Sequence, residues 1–297
     1  MNGWAGLRAR WRSLLAPALV AVGRLRDVVR PPPPAAVRLL IFHDVPDEQR
    51  EAFARLIDHL GRRYGFIDPD TAARRLLHGA PADGRTPVLL TFDDGFISNR
   101  QVAEAVLQPR GVRALFFVCP GLIELAPEKQ RSAIAANVFR GHVTADELPT
   151  DMALMNWADL AALERQGHRI GCHGFDHNRL AGLEEGRLDC QVVQAKALLE
   201  ARMGTATPWF AFTFGDVASI DAAALAHIGR HFPLCRSGVR GLARHDHPPL
   251  AIPADSLDLS TPWPWQLAAA EGALWPLYRT PRAALARLAS CIPAQAG

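Results

Sequence analysis

The feature that most constrains this chain is an alternation that starts at residue 37 and continues for about two hundred residues. Short apolar, β-branched or aromatic runs change places with longer segments of helical periodicity. The spacing predicts strands over 37–45, 87–94, 113–120, 168–173, 209–215, 232–238 and 250–255. It predicts helices over 47–64, 99–107, 156–167, 183–203 and 219–230, and a less regular stretch up to about residue 155. Strand–helix units of this kind give a parallel sheet or a (β/α) barrel, so the fold class is α/β. In either architecture, chemistry collects at the carboxyl ends of the strands.

Two of those ends carry unusual side chains. "VLLTFDDGF" (88–96) closes a buried strand on Asp93 and Asp94, followed by Gly95. Adjacent carboxylates at a strand end repel each other and lose hydration unless a cation shares them. A solvated Asp-Gly turn is the plainer alternative. "GCHGFDHNRL" (171–180) ends another strand at His173 and places His177 four residues later. On one helical turn such a pair shares a face and can reach one metal ion. Strand alternation turns Cys172 away from His173. Two imidazoles and one carboxylate make a three-ligand site with positions left open for water, which is the layout of a catalytic metal. The remaining aspartate is then placed to act as general base.

"TFDDG" (91–95) followed by "HGFDH" (173–177) resembles the first two motifs of the polysaccharide deacetylases, carbohydrate esterase family 4 with its NodB-type domain. "LIFHDV" (40–45) resembles the family's opening strand, and "NWADLAALERQGHRIGCH" (156–173) its approach to the second motif. "FAFTFGD" (210–216) resembles the third motif of one branch, so the resemblance runs from about 37 to 255. It implies a distorted (β/α) barrel that hydrolyses N-acetyl groups on amino-sugar residues of a polysaccharide or lipid-linked glycan. It further implies a divalent cofactor, zinc first, held by Asp94, His173 and His177, with Asp93 as base. His43, Asp44, Phe214 and Gly215 are expected to line the substrate groove. The alternative is a glycan-binding barrel without turnover in a polysaccharide assembly complex.

The pattern also departs from the family. Phe212 and Thr213 stand where the branch has Tyr and Pro, and no histidine follows His247 to supply the usual late general acid. His245, in "RHDHPP" (244–249), is the candidate acid, with a proton returned by Asp93 as the rival route. The usual arginine-bearing strand has no arginine in "LAIPAD" (250–255). Arg236 and Arg240 are expected on the surface, with orientation of Asp93 as their other role.

Ahead of the alternation, residues 1–36 form a separate segment, and 37–297 the catalytic domain. Trp4, Leu7, Trp11, Leu14, Leu15, Ala18, Leu19, Val22, Leu25 and Val29 fall largely on one helical face. Six arginines and a single acid accompany them within residues 1–30, and "RPPPP" (30–34) follows as a stiff spacer. An interfacial helix on anionic lipid fits this pattern. A helix packed on the domain is the alternative, and a cleaved signal is disfavoured by Arg24 and Arg26. The rest of the chain holds 27 basic against 29 acidic side chains, which excludes a nucleic-acid footprint there. Five cysteines without a CxxC pair fit a reducing compartment. The expected location is therefore cytoplasmic, peripheral on the inner face of the membrane, with a secreted form as the lesser alternative.

Overall fold

The computed structural model describes residues 3–80 and 86–292, with side chains from Leu14 onward. Seven strands form one sheet: β1 (Arg38–Phe42), β2 (Val88–Phe92), β3 (Ala114–Val118), β4 (Arg169–Cys172), β5 (Trp209–Ala211), β6 (Leu234–Arg236) and β7 (Asp255–Ser256). All pairings are parallel, in the order β6-β5-β4-β3-β2-β1-β7. The last segment touches both edges of this sheet. Asp255 and Ser256 pair with β1, while Ile252 just before them bridges Arg236 of β6. The sheet thereby closes on itself as a distorted (β/α) barrel, the fold that the alternation and the family resemblance imply. The strand expected over 250–255 is reduced to its end, because Pro253 has no N–H to give to a ladder.

Strand side chains sort by alternation into two sets. Leu39, Ile41, Leu89, Leu115, Phe117, Trp209, Ala211 and Leu234 share the cluster inside the barrel. Leu40, Phe42, Leu90, Phe92, Phe116, Cys172 and Phe210 join the larger cluster beneath the helices. Each fully buried Leu or Phe contributes about 1.5–3 kcal/mol of transfer free energy, so the two layers fix the register of every strand.

A helix over Pro69–His78, absent from the sequence expectations, belongs to the inner cluster through Ala72, Ala73 and Leu76. Its start signal is local: Asp68 accepts a hydrogen bond from the Thr71 N–H at 2.9 Å, and Pro69 fills the first helical position. This helix plugs the amino-terminal end of the barrel, opposite the end where the strands finish.

The N-terminal helix (Gly3–Val29) packs on the helix Trp263–Ala270. The packing side is narrow and small: Ala16 and Val20 are buried, and a Cβ built on Gly23 would lie 3.3 Å from that of Ala273. Two ion pairs fasten it. Arg24 donates twice, at 2.7 Å each, to the buried carboxylate of Glu271, which His59 also reaches at 2.9 Å. Asp27 accepts from the buried Arg38 of β1 at 2.8 Å. The apolar stripe read from the sequence is therefore largely not the packing side. Leu14, Leu15, Val22, Leu25 and Val29 point away from the body, and only Leu19 of the described stripe is packed against the core. The side chains of Trp4, Leu7 and Trp11 lie outside the described residues.

Candidate active site

Period-two alternation carried one step past the strand ends builds the site. Ile41 faces into the barrel, so His43 does too; the same holds from Gly171 to His173 and from Leu234 to Arg236. Leu89 and Thr91 lead in the same way to Asp93. These side chains line a cavity of about 370 Å³ at the carboxyl ends of the strands, together with Asp44, Asp94, His177, Phe214 and Gly215. Phe96, Val138 and Phe139 supply an apolar wall from outside the strands.

Asp93's partner is Arg236, in the role that the sequence reading held as the lesser alternative. Arg236 is buried, with 1% of its surface exposed, and its Nη2 lies 2.6 Å from each Asp93 oxygen. Its guanidinium carbon stands 4.9 Å from the centre of the Phe117 ring. The expectation of a surface arginine fails for a plain reason: Leu234 is an inward position, and Arg236 is two residues on. Arg240 serves another carboxylate, at 3.4 Å from Asp255. β6 therefore carries the arginine that "LAIPAD" lacks.

Asp94 meets both histidines. Its Oδ1 lies 3.2 Å from His177 Nε2 and 3.6 Å from His173 Nε2, and all three residues are buried. His173 Nδ1 is 2.7 Å from the carbonyl of Ala211, and His177 Nδ1 is 3.2 Å from that of Asn137. A carbonyl only accepts, so each Nδ1 carries the proton and each Nε2 turns a lone pair to the cavity. Asp94 Oδ1 has no hydrogen-bond partner. Buried lone pairs converging on an orphaned carboxylate oxygen are acceptors waiting for a cation, and this donor set fits a divalent ion. Burial works against ionised Asp94, but His177, His43 and His173 outweigh it and hold its carboxyl well below the usual range. Burial lowers the His173 pKa to about 4, leaving that ring neutral at neutral pH. Burial pushes His177 the same way, yet the Asp94 carboxylate outweighs it and raises its pKa.

The two histidines do not share a helical turn. Residues 173–177 form an irregular loop in which Gly174 and His177 both adopt left-handed backbone, at φ 80° and 63°. This loop, not helical periodicity, brings the rings to 5.1 Å. Asp94 (φ 71°) and Phe214 (φ 63°) are left-handed as well. Strained non-glycine backbone gathered around one cavity is typical of a functional site. Gly215 is required sterically, since a Cβ there would fall 2.5 Å from the Gly238 nitrogen.

His43 is half-exposed at the mouth, with Nε2 4.0 Å from Asp93 Oδ2. The buried Asn99 fixes its backbone by donating to the His43 carbonyl at 2.7 Å. Asp44 accepts from Ser98 at 2.5 Å, and burial raises its pKa. Thr213 donates to the Asn178 carbonyl at 2.6 Å, and the Phe214 ring stands edge-on to His177 at 4.7 Å. His245 is not brought to this cavity. It lies against Gly79, with Nδ1 3.2 Å from the Leu76 carbonyl, beside the helix that plugs the opposite end.

The family model for polysaccharide deacetylases matches residues 81–232, a little over half of the chain. The chain belongs to the polysaccharide deacetylase family. YxkH of Bacillus subtilis, which carries the family's name, is 25% identical over 175 residues. That match covers 56% of this chain, which spans about half (52%) of YxkH. Among solved structures, the deacetylase PplD of Streptococcus pyogenes superposes with a TM-score of 0.61 at 18% identity, covering 79% of this chain and 97% of PplD. IcaB of Ammonifex degensii does so at 0.57 and 24% identity, covering 80% of this chain and 97% of IcaB. These likenesses show the shared fold.

Proposed function

We propose that the protein hydrolyses N-acetyl groups on amino-sugar residues of a polysaccharide or lipid-linked glycan, with a divalent metal ion, zinc first, held by Asp94, His173 and His177. The observation that carries this reading is the juxtaposition of an unsatisfied Asp94 oxygen, two inward-facing Nε2 atoms and an arginine-held Asp93 in one strand-end cavity. A bound divalent ion lowers the pKa of water and polarises an acetamide carbonyl. Asp93, held through both oxygens by Arg236, accepts the proton that the attacking water loses. His43 lines the same cavity, half-exposed, with Nε2 4.0 Å from Asp93 Oδ2. From there it donates a proton to the departing amine, the role that His245 cannot reach from the far end of the barrel. Phe214, Gly215 and Asp44 border the space where the sugar sits. The assembled Asp93, Asp94, His173 and His177 weigh against the alternative of a barrel without turnover.

The test is acetate release from an N-acetylated chito-oligosaccharide by the zinc-loaded chain. Zinc bound at one equivalent with no acetate from N-acetylated glycans would sink the proposal. His43→Gln should lower kcat by roughly 10²-fold or more, with zinc content unchanged. His245→Gln should leave kcat at the parent value, and the reverse pattern would return the acid to the loop.

A further inference from the structure

The large apolar side chains that the body leaves exposed are concentrated in one place. Among the described residues, Leu14, Leu15, Val22, Leu25, Val28 and Val29 on the N-terminal helix are 52–79% exposed. The only other such residue is Leu277, 74% exposed, two residues past Trp275, which lies beneath Arg26 near the helix's carboxyl end. With Ala18 and Ala21, the helical six occupy a continuous arc of roughly 140° at 100° per residue that holds no polar side chain. An unpartnered arc of this kind marks an interaction surface.

Charge identifies its occupant. Where the helix ends, Arg26, Arg30, Arg244, Arg279 and Arg282 line a pocket of about 310 Å³ in which Asp27 is the sole acid. Asp27 is already engaged by Arg26 and Arg38. Among the described residues no acid lies within ion-pair distance of Arg30 or Arg279, both exposed. Arg282 is lowered by burial and by its arginine neighbours Arg279 and Arg26, although Asp255 opposes them. An apolar arc that ends at a basic pocket matches the acyl chains and phosphates of an anionic bilayer. A second copy of this chain would bring the same positive pocket and repel. The helix is not apolar enough to cross a membrane, since its inner side carries Arg24, Arg26 and Asp27 to the body.

We infer that the N-terminal helix lies in the plane of an anionic lipid surface. Its Leu14–Val29 arc is seated among the acyl chains, and lipid phosphates are taken by Arg30, Arg279 and their neighbours. Deleting the helix is a poor test, because it strands the buried Glu271. Point variants on the exposed face leave the packing side intact. The full chain should co-sediment with vesicles of phosphatidylglycerol and phosphatidylcholine, and far less with phosphatidylcholine alone. Raising salt from about 0.1 M to 1 M should weaken binding severalfold. Leu25→Glu should lower the partition coefficient roughly tenfold or more, and Val22→Glu/Leu25→Glu further. Arg30→Glu/Arg279→Glu should abolish the preference for anionic vesicles while retaining circular dichroism and thermal stability. Parent-like partition in the Val22→Glu/Leu25→Glu variant would overturn the inference. So would a dimer in solution, without vesicle binding, that Leu25→Glu dissociates, since the occupant would then be a second copy.

Discussion

Asp93→Asn binds its divalent ion as the parent does and loses turnover by roughly 10²–10⁴, the usual contribution of a positioned base. The geometry separates this residue from its neighbour. Asp93 meets Arg236 at 2.6 Å through both oxygens, whereas the Asp94 oxygen nearest the histidines has no hydrogen bond. Asparagine keeps the shape of Asp93 and one oxygen for Arg236, yet cannot take a proton from water. Asp94→Asn should instead weaken ion binding, because a neutral amide replaces the only anion between the two Nε2 atoms. Arg236→Gln tests the same arrangement from the other side. It leaves Asp93 buried without its cation, so kcat should fall at least tenfold while the ion stays bound. Metal content by atomic emission and acetate release on the three variants decide the matter. Equal metal loss in Asp93→Asn and Asp94→Asn would erase the distinction.

Much of this site was legible in the sequence, and what was not has physical causes. Asp93 and His173 were readable because each falls at the end of a buried run, where alternation fixes the direction of the side chain; Asp94, next in the chain, turns to the same cavity only through its left-handed backbone (φ 71°). His177 was read from a helical spacing that the structure does not use. Its place depends on left-handed backbone at Gly174 and at His177 itself, which a four-residue interval does not reveal. Arg236 was readable in principle. "PLCR" alternates from Leu234, but an arginine in a short apolar run looks like an edge unless a buried carboxylate across the barrel is known. His43 was placed in the groove, yet its approach to Asp93 needs the pairing of β1 with β2, a long-range contact. His245 precedes the last strand, and a loop that leads into a strand lies at the rim opposite the catalytic end, which is where the structure places it. The outward turn of the N-terminal stripe was hidden because the packing side consists of small residues, Ala16 and Gly23, which periodicity scores as blank.

His173→Ala abolishes tight binding of a divalent ion, and with it the ion's contribution to stability. An ion that binds only the folded chain stabilises it by about 4 kcal/mol at a thousandfold excess over its Kd. For a domain of this size that corresponds to a Tm shift on the order of 10 °C. Chelation should therefore lower the Tm of the parent by about that amount, and that of Asp93→Asn equally, but leave His173→Ala where it began. The expectation rests on the hydrogen bonds behind the ring. Ala211 fixes the Nδ1 proton, so Nε2 is presented as a lone pair with no rearrangement when the ion arrives. His173→Gln should not rescue binding, because its amide oxygen is a weaker donor than imidazole to zinc and lacks that carbonyl anchor. His177→Ala should behave like His173→Ala, since the Asn137 carbonyl plays the corresponding part. Should chelation shift parent and His173→Ala alike, the ion would lie elsewhere, and the converging acceptors around Asp94 would need a proton as their counter-charge.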